Sequence, residues 1–262
     1  MANLVTRRDI DVSQYGDKIH FPVTSAGTAR TYTQGERLTE NLQVDTDTEV
    51  TITVDQFKHY AFHIPWIVKK QNKYDIMAME MRKAGEAVAR VIDSALHTEA
   101  LSEFTGTAQN SPSDAQVDDL TVDDIVGAQV ALDNSDVPAS DRYWVFHPSA
   151  HGELLTMTGN YFISIDFQGE KPMATGQIGT MLGSPVYKST NVGTTTAGSP
   201  AETAYANLYF HKDALGLAMQ VAPEIEMEYD LDSQGHLGNV RTAYGVGILR
   251  ADHGLIVYTV AD

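Results

Sequence analysis

Apolar positions change their spacing several times along the chain, and each change marks an element. Val50-Thr-Ile-Thr-Val-Asp55 alternates and is rich in β-branched residues, which predicts a strand. Phe57 to Ile64 is a second extended stretch, stopped by Pro65. With Thr31-Tyr-Thr33 and the turn at Gln34-Gly-Glu36, residues 29–66 read as a long β-hairpin with few large apolar residues at its tip. An isolated hairpin is marginally stable in water, so a partner surface is expected to hold it. Residues 1–28 are polar and mixed, an arm with one short strand from Lys18 to Val23.

Between Lys70 and Phe104 the period becomes helical. No proline occurs there, Gly85 is the lone glycine, and Met77, Met81, Ala84, Val88, Val91 and Ala95 recur at spacings of three and four, with Ile76 and Ile92 on the flank. A helix over this stretch is roughly 50 Å long at 1.5 Å per residue, a spine for other elements. Asp75 in its early part and His97 in its last turns suit the helix dipole. After a polar loop, Thr121 and Asp124 form a capping-box pattern opening a helix with Ile125, Ala128 and Leu132 on one face. Tyr143-Trp-Val-Phe146 predicts a buried strand, and Pro148 opens another helix through Leu155. Residues 159–200 are rich in glycine. Strands are expected at Pro185 to Tyr187, Ala206 to Phe210, Ile225 to Tyr229, Val240 to Leu249 and Leu255 to Val260. The fold class is α+β.

Composition narrows the functional classes. The net charge of −17, from 35 acidic and 18 basic residues, opposes a surface that grips nucleic acid through its phosphates. The absence of cysteine removes disulfides, thiolate metal sites and cysteine nucleophiles. No apolar run approaches the roughly 18 residues of a membrane helix, and the first residues lack the apolar core of a signal peptide.

Candidate chemistry is sparse. Gly176-Gln-Ile-Gly-Thr-Met-Leu-Gly183 lacks the Lys-Ser/Thr ending of a phosphate loop, and no Gly-x-Ser-x-Gly elbow is present. His59 and His63 would share one face of a strand without an obvious third metal ligand. Asp230-Leu-Asp-Ser-Gln-Gly235 begins like a calcium loop, but Arg241 stands where the closing glutamate is needed, so a polar turn is expected. Neither a catalytic residue, a cofactor nor a metal site is assigned.

The order of these elements resembles the major capsid (coat) proteins of tailed bacteriophages, which share the Hong Kong 97-type fold. The resemblance runs from about residue 29 to the end. Its motifs are Thr51-Ile-Thr-Val-Asp-Gln-Phe-Lys-His-Tyr60, Ala87-Val-Ala-Arg-Val-Ile-Asp93 on the long helix, and Arg142-Tyr-Trp-Val-Phe-His-Pro-Ser149. Ile178 to Asn191, His211-Lys-Asp-Ala-Leu-Gly-Leu-Ala218 and Tyr244-Gly-Val-Gly-Ile-Leu-Arg250 follow in order.

The resemblance implies an N-terminal arm (1–28) and an extended loop (29–66) that lies across a neighbouring subunit. It implies a peripheral domain (67–120 and 218–250) with its spine helix at about 70–104, and an axial domain (121–217) with 251–262 returning as a strand. It further implies a noncatalytic subunit that forms hexamers and pentamers of an icosahedral shell around double-stranded DNA, without sequence-specific binding and without a membrane. The short arm implies a separate scaffolding protein, and a portal is expected. The chain would reside in the virion, and in the host cytoplasm during assembly. Charged contacts with neighbours are expected from Arg30, Glu36, Arg37, Glu40, Asp45 and Asp47. Some relatives weld subunits through a lysine–asparagine bond. Asn239 is suitably placed, but no lysine lies between Lys18 and Lys58, so no such bond is predicted. The alternatives are an encapsulin-type nanocompartment shell, which shares the fold, and a small-molecule enzyme.

Overall fold

The computed structural model describes residues 1–9, 18–23, 31, 34, 48–104, 119–156, 162–164, 177–197 and 202–260. In chain order its elements are β1 (Thr6–Asp9), β2 (Lys18–Val23), β3 (Thr48–Thr53), β4 (Gln56–Pro65), α1 (Trp66–Gln71), α2 (Ile76–Glu103) and α3 (Val122–Asn134). There follow β5 (Arg142–Phe146), α4 (Pro148–Thr156), β6 (Phe162–Ser164), β7 (Gln177–Met181), β8 (Ser184–Lys188) and β9 (Thr194–Ala197). The last are β10 (Glu202–His211), β11 (Leu215–Asp230), β12 (Gly235–Ile248) and β13 (Gly254–Val260).

These strands make a four-stranded sheet in the order β1-β11-β12-β4, a seven-stranded sheet in the order β13-β10-β5-β8-β7-β6 with β9 beside β10, and the pair β2-β3. The two strands expected to pair as one hairpin over 29–66 therefore both exist but do not face each other. Thr48–Thr53 pairs with Lys18–Val23, whereas Gln56–Pro65 lies along β12. Burial explains the correction. Ile19, Phe21, Ile52 and Val54 form one small core with Ala218 and Ala243, whereas Tyr60 and Phe62 of β4 pack on the α2 core.

The spine helix is shorter than the apolar period suggested. Asn72 and Asp75 break it: the Asn72 side chain accepts from Tyr74 N–H, and Asp75 caps α2 by accepting from Ala78 N–H. What remains is a 28-residue helix, roughly 42 Å long. Its buried seam is Ala84, Val88, Ile92, Leu96 and Ala100, in steps of four, so it winds off the predicted stripe and leaves Val91 exposed. His97 joins this seam instead of greeting the helix dipole as a cation. Its ring is buried, and loss of hydration lowers its pKa to about 4.

Helix α2 spans both sheets. One continuous core joins its seam to Leu217, Val240 and Tyr244 of the four-stranded sheet and to Val145, Leu208, Phe210 and Tyr258 of the seven-stranded one. The opposite face of the seven-stranded sheet is covered by α3 and α4 through Ile125, Leu132 and Leu154, over Trp144, Val186, Tyr209 and Val257. Trp144 lies stacked between Phe146 and Tyr209, with ring centroids 5.1 and 4.0 Å away. The predicted capping box is formed: Thr121 Oγ1 accepts from Asp124 N–H, and the Asp124 carboxylate accepts from Thr121 N–H. Among the described residues no helix is long and apolar enough to cross a membrane.

Candidate functional site

The described residues hold three surfaces that the chain itself leaves incomplete or supports for something outside it. The first is the root of the β2–β3 pair, which stands on strands β11 and β12. A Cβ at Gly245 would overlap the Thr53 carbonyl, and one at Gly216 would lie 2.7 Å from Ile52 Cδ1. Glycine there lets one backbone lie directly on another. Arg8 clamps the root from the side, with its guanidinium 5.2 Å from the Phe21 ring and Nη1 donating to the His20 carbonyl at 3.2 Å. The root therefore anchors firmly whatever chain lies between β2 and β3. The predicted contact residues Arg30, Glu36, Arg37, Glu40, Asp45 and Asp47 all belong to that intervening stretch and lie outside the described residues.

The second surface is the far end of the four-stranded sheet. Helix α1 has no buried residue and no side-chain cap, yet carries Trp66, Ile67 and Val68, all exposed. A six-residue helix, half of it β-branched or aromatic, has little intrinsic stability in water. It starts where Trp66 N–H donates to the Gln234 carbonyl in the β11–β12 turn, and Lys69 Nζ lies 3.2 Å from His236 Nε2. Tyr74 after the helix (73% exposed) and Leu231 in the turn (81% exposed) are bare as well, and Lys69, Lys70 and Lys73 are their neighbours in sequence. An exposed apolar patch rimmed by charge marks a protein contact.

The third surface is the outer half of β11, β12 and β4. Strand β11 changes from buried to exposed at about Val221, with irregular pairing between Met219 and Glu224. Beyond that bend, Ile225, Met227 and Tyr229 point to one face, half exposed, and Glu224, Glu226 and Glu228 to the other. The glutamate face includes His59, Leu237 and Asn239 and forms two adjoining hollows of about 550 and 710 Å³. Arg241 crosses it, 2.6 Å from Glu226 and 3.8 Å from Glu224, an exposed arrangement worth little to stability. Pro223 is tolerated because only β1 borders β11 on that side among the described residues, and β1 reaches only Met219.

The chemical motifs resolve into structural roles. His59 and His63 occupy alternate positions of β4 on the glutamate side, and no group of three metal-ligating side chains occurs among the described residues. The calcium-like segment is the β11–β12 turn. Both Asp230 carboxylate oxygens accept from the turn itself, from Asp232 N–H at 3.0 Å and Ser233 N–H at 3.2 Å, and the Ser233 hydroxyl above all, together with these backbone bonds, holds the carboxyl below its ordinary pKa. The buried Arg142 donates to the Val137 and Pro138 carbonyls and pairs with Asp133 at 2.7 Å, tying the end of α3 to β5. Sequence reasoning missed α1 and the bare end of the sheet. The available signal was Trp66-Ile-Val-Lys-Lys70, an apolar run without helical periodicity directly before three lysines in five positions.

Comparison with known proteins gives these surfaces a context. A family model described as phage capsid protein matches residues 47–257. Among curated proteins, none matches significantly. Solved structures match over nearly the whole chain. One from Mycobacterium phage Che8 has a TM-score of 0.69 at 23% identity, covering 98% of this chain and 89% of its own. The capsid of Ralstonia phage GP4 has a TM-score of 0.74 at 15% identity, covering 99% and 87%. The capsid of cyanophage P-SCSP1u has a TM-score of 0.67 at 20% identity, also covering 99% and 87%. The fold is thus that of the Hong Kong 97-type capsid proteins, and the chain belongs to the phage capsid protein family: it is a major capsid protein, a self-assembling shell subunit and not an enzyme.

Proposed function

We propose that copies of this chain form hexamers and pentamers that close into an icosahedral phage head around double-stranded DNA. Assembly takes place in the host cytoplasm, guided by a separate scaffolding protein and incorporating a portal. The four-stranded sheet with α2 serves as the peripheral domain, and the seven-stranded sheet as the axial domain. The stretch between β2 and β3 is the loop that lies over a neighbour. Its charged residues Arg30, Glu36, Arg37, Glu40, Asp45 and Asp47 orient that contact. The net charge of −17 favours a wall that encloses DNA without gripping it.

The observation that carries this reading is the second surface. A helix with no buried residue and an adjoining apolar sheet edge are stable only when other copies cover them. Cryo-electron microscopy of the purified chain, alone and with a scaffolding protein of its phage, tests the reading. Closed icosahedral shells, or rings of five and six, are expected. A chain that stays monomeric at every concentration and salt, with or without scaffold, overturns it.

A further inference from the structure

The two sheets are joined directly at two places. Strand β10 passes into β11 through the 3-10 turn Lys212–Ala214, and β12 passes into β13 through the 3-10 turn Ala251–His253. The two crossings are tied to each other. The Ala214 carbonyl accepts from both Leu249 N–H (2.9 Å) and Arg250 N–H (3.2 Å). Each crossing also carries a buried histidine: His211 caps the first turn and His253 ends the second, and their rings meet edge to face with centroids 5.7 Å apart.

Neither ring has a place for a second proton. His211 Nδ1 accepts from Asp213 N–H at 3.2 Å, so a proton on that nitrogen would set two N–H groups against each other and break the cap. The Asp213 carboxylate is 3.8 Å away, and a charged ring would reach it only by abandoning the cap. His253 Nδ1 is buried without a hydrogen-bond partner, so protonation would bury an unsatisfied N–H. Its Nε2 lies 4.0 Å from the Asp252 carboxylate. The charged groups around the pair are mixed in sign. Asp213 and Asp141 favour a charged His211, opposed by Arg142 and Arg250, and Asp252 and Asp213 favour a charged His253, opposed by Arg250 and by His211. Lys212 lies on the first turn, and Arg7 of β1 borders the same hollow. Burial outweighs the carboxylates and lowers both rings from their ordinary value.

We propose that His211 and His253 form an acid-released latch, which holds the seven-stranded sheet at a fixed angle to the four-stranded sheet at neutral pH and loosens both crossings in mild acid. The sign follows from the geometry. Each ring is held neutral in the closed latch, so its contribution is complete above the ordinary histidine range and is lost as pH falls below it. The core under α2 stays formed, so the opening is local. The latch does not depend on how copies assemble.

Amide hydrogen exchange of the unassembled subunit tests this, because the Leu249 and Arg250 amides report on the latch directly. From pH 7.5 to 5.5, after correction for intrinsic rates, their protection should fall severalfold, because the opened rings take up protons that the closed latch excludes. In a variant combining His211→Asn, whose side chain can still cap the turn, with His253→Gln, protection should stay constant. Protection that ignores pH in the wild type, or that falls equally in the double variant, overturns the proposal. So does a fall at Leu249 and Arg250 no larger than that of the α2 amides, which would assign the effect to His97. Should the double variant not fold, NMR titration of the wild-type rings decides: both must titrate below the ordinary histidine range, with the Leu249 and Arg250 amides moving in step.

Discussion

In the seven-stranded sheet, strands β5, β10 and β13 bury both their faces within the chain. Helices α3 and α4 cover one face and the α2 core the other, so β13 is buried from Gly254 through Thr259. The outer half of the four-stranded sheet has no such cover among the described residues. From Pro223 to Tyr229 every residue of β11 is exposed, and α1 beside it buries nothing. Strands β11 and β12 are long, 16 and 14 residues, and run on past the covered half of their sheet. The two regions differ in where the covering surface comes from: one sheet is completed by intramolecular helices, while the other ends as half an interface. A shell subunit needs both, a body that folds before assembly and a margin that becomes dry only within the shell.

Three substitutions would break or sharpen this contrast. The largest effect belongs to the self-covered sheet. Trp144→Ala removes a fully buried ring from a three-ring stack, and should cost the unassembled subunit about 3–5 kcal/mol in urea unfolding. An intermediate effect comes from His97, whose folded pKa of about 4 lies below the ordinary 6.5. The unfolded chain takes up the proton first, so this stability is present above pH 6.5 and is lost as pH falls toward 4. Between pH 7 and pH 5 the wild type should lose about 2 kcal/mol more than His97→Leu, by urea unfolding at each pH. The smallest effect on the subunit belongs to the bare margin. Trp66→Ser, at a side chain 45% exposed, should shift its unfolding by less than about 0.5 kcal/mol. The same change should sharply lower the yield of closed shells by sedimentation. Equal losses of stability from Trp144→Ala and Trp66→Ser would erase the distinction between the two regions.

Much of the fold was legible because local signals were strong and mutually consistent. Thr121 and Asp124 announced α3, Pro148 opened α4, and Tyr143 to Phe146 formed the buried strand as expected. Pairing was not legible. Alternation predicted strands at both Val50 and Phe57, but which strands pair depends on which faces share a core, a nonlocal fact. The β7–β8 hairpin was obscured because its turn places Leu182 at φ 48° before Gly183, where Asn-Gly would have been a clear signal. The helix break at Asn72 to Asp75 was misread because Asp75 suits an early helical position as well as a cap. The candidate contact residues followed from family resemblance and charge alone. The bare margin was hidden for another reason: its residues look like core residues, and only the fold shows that none of the described residues covers them.

A shell subunit is made in many copies within one cell, a setting in which sheet edges stack into fibres. The outer edge of β11 meets that hazard with a proline at position 223 and a glutamate at every second position from 224 to 228. Two copies approaching edge to edge would bring carboxylate rows together, and at physiological ionic strength their repulsion reaches about 8 Å. Random stacking is therefore resisted before backbones can touch, while a partner bearing positive charge is drawn in. On this edge, charge sorts the encounters before shape can.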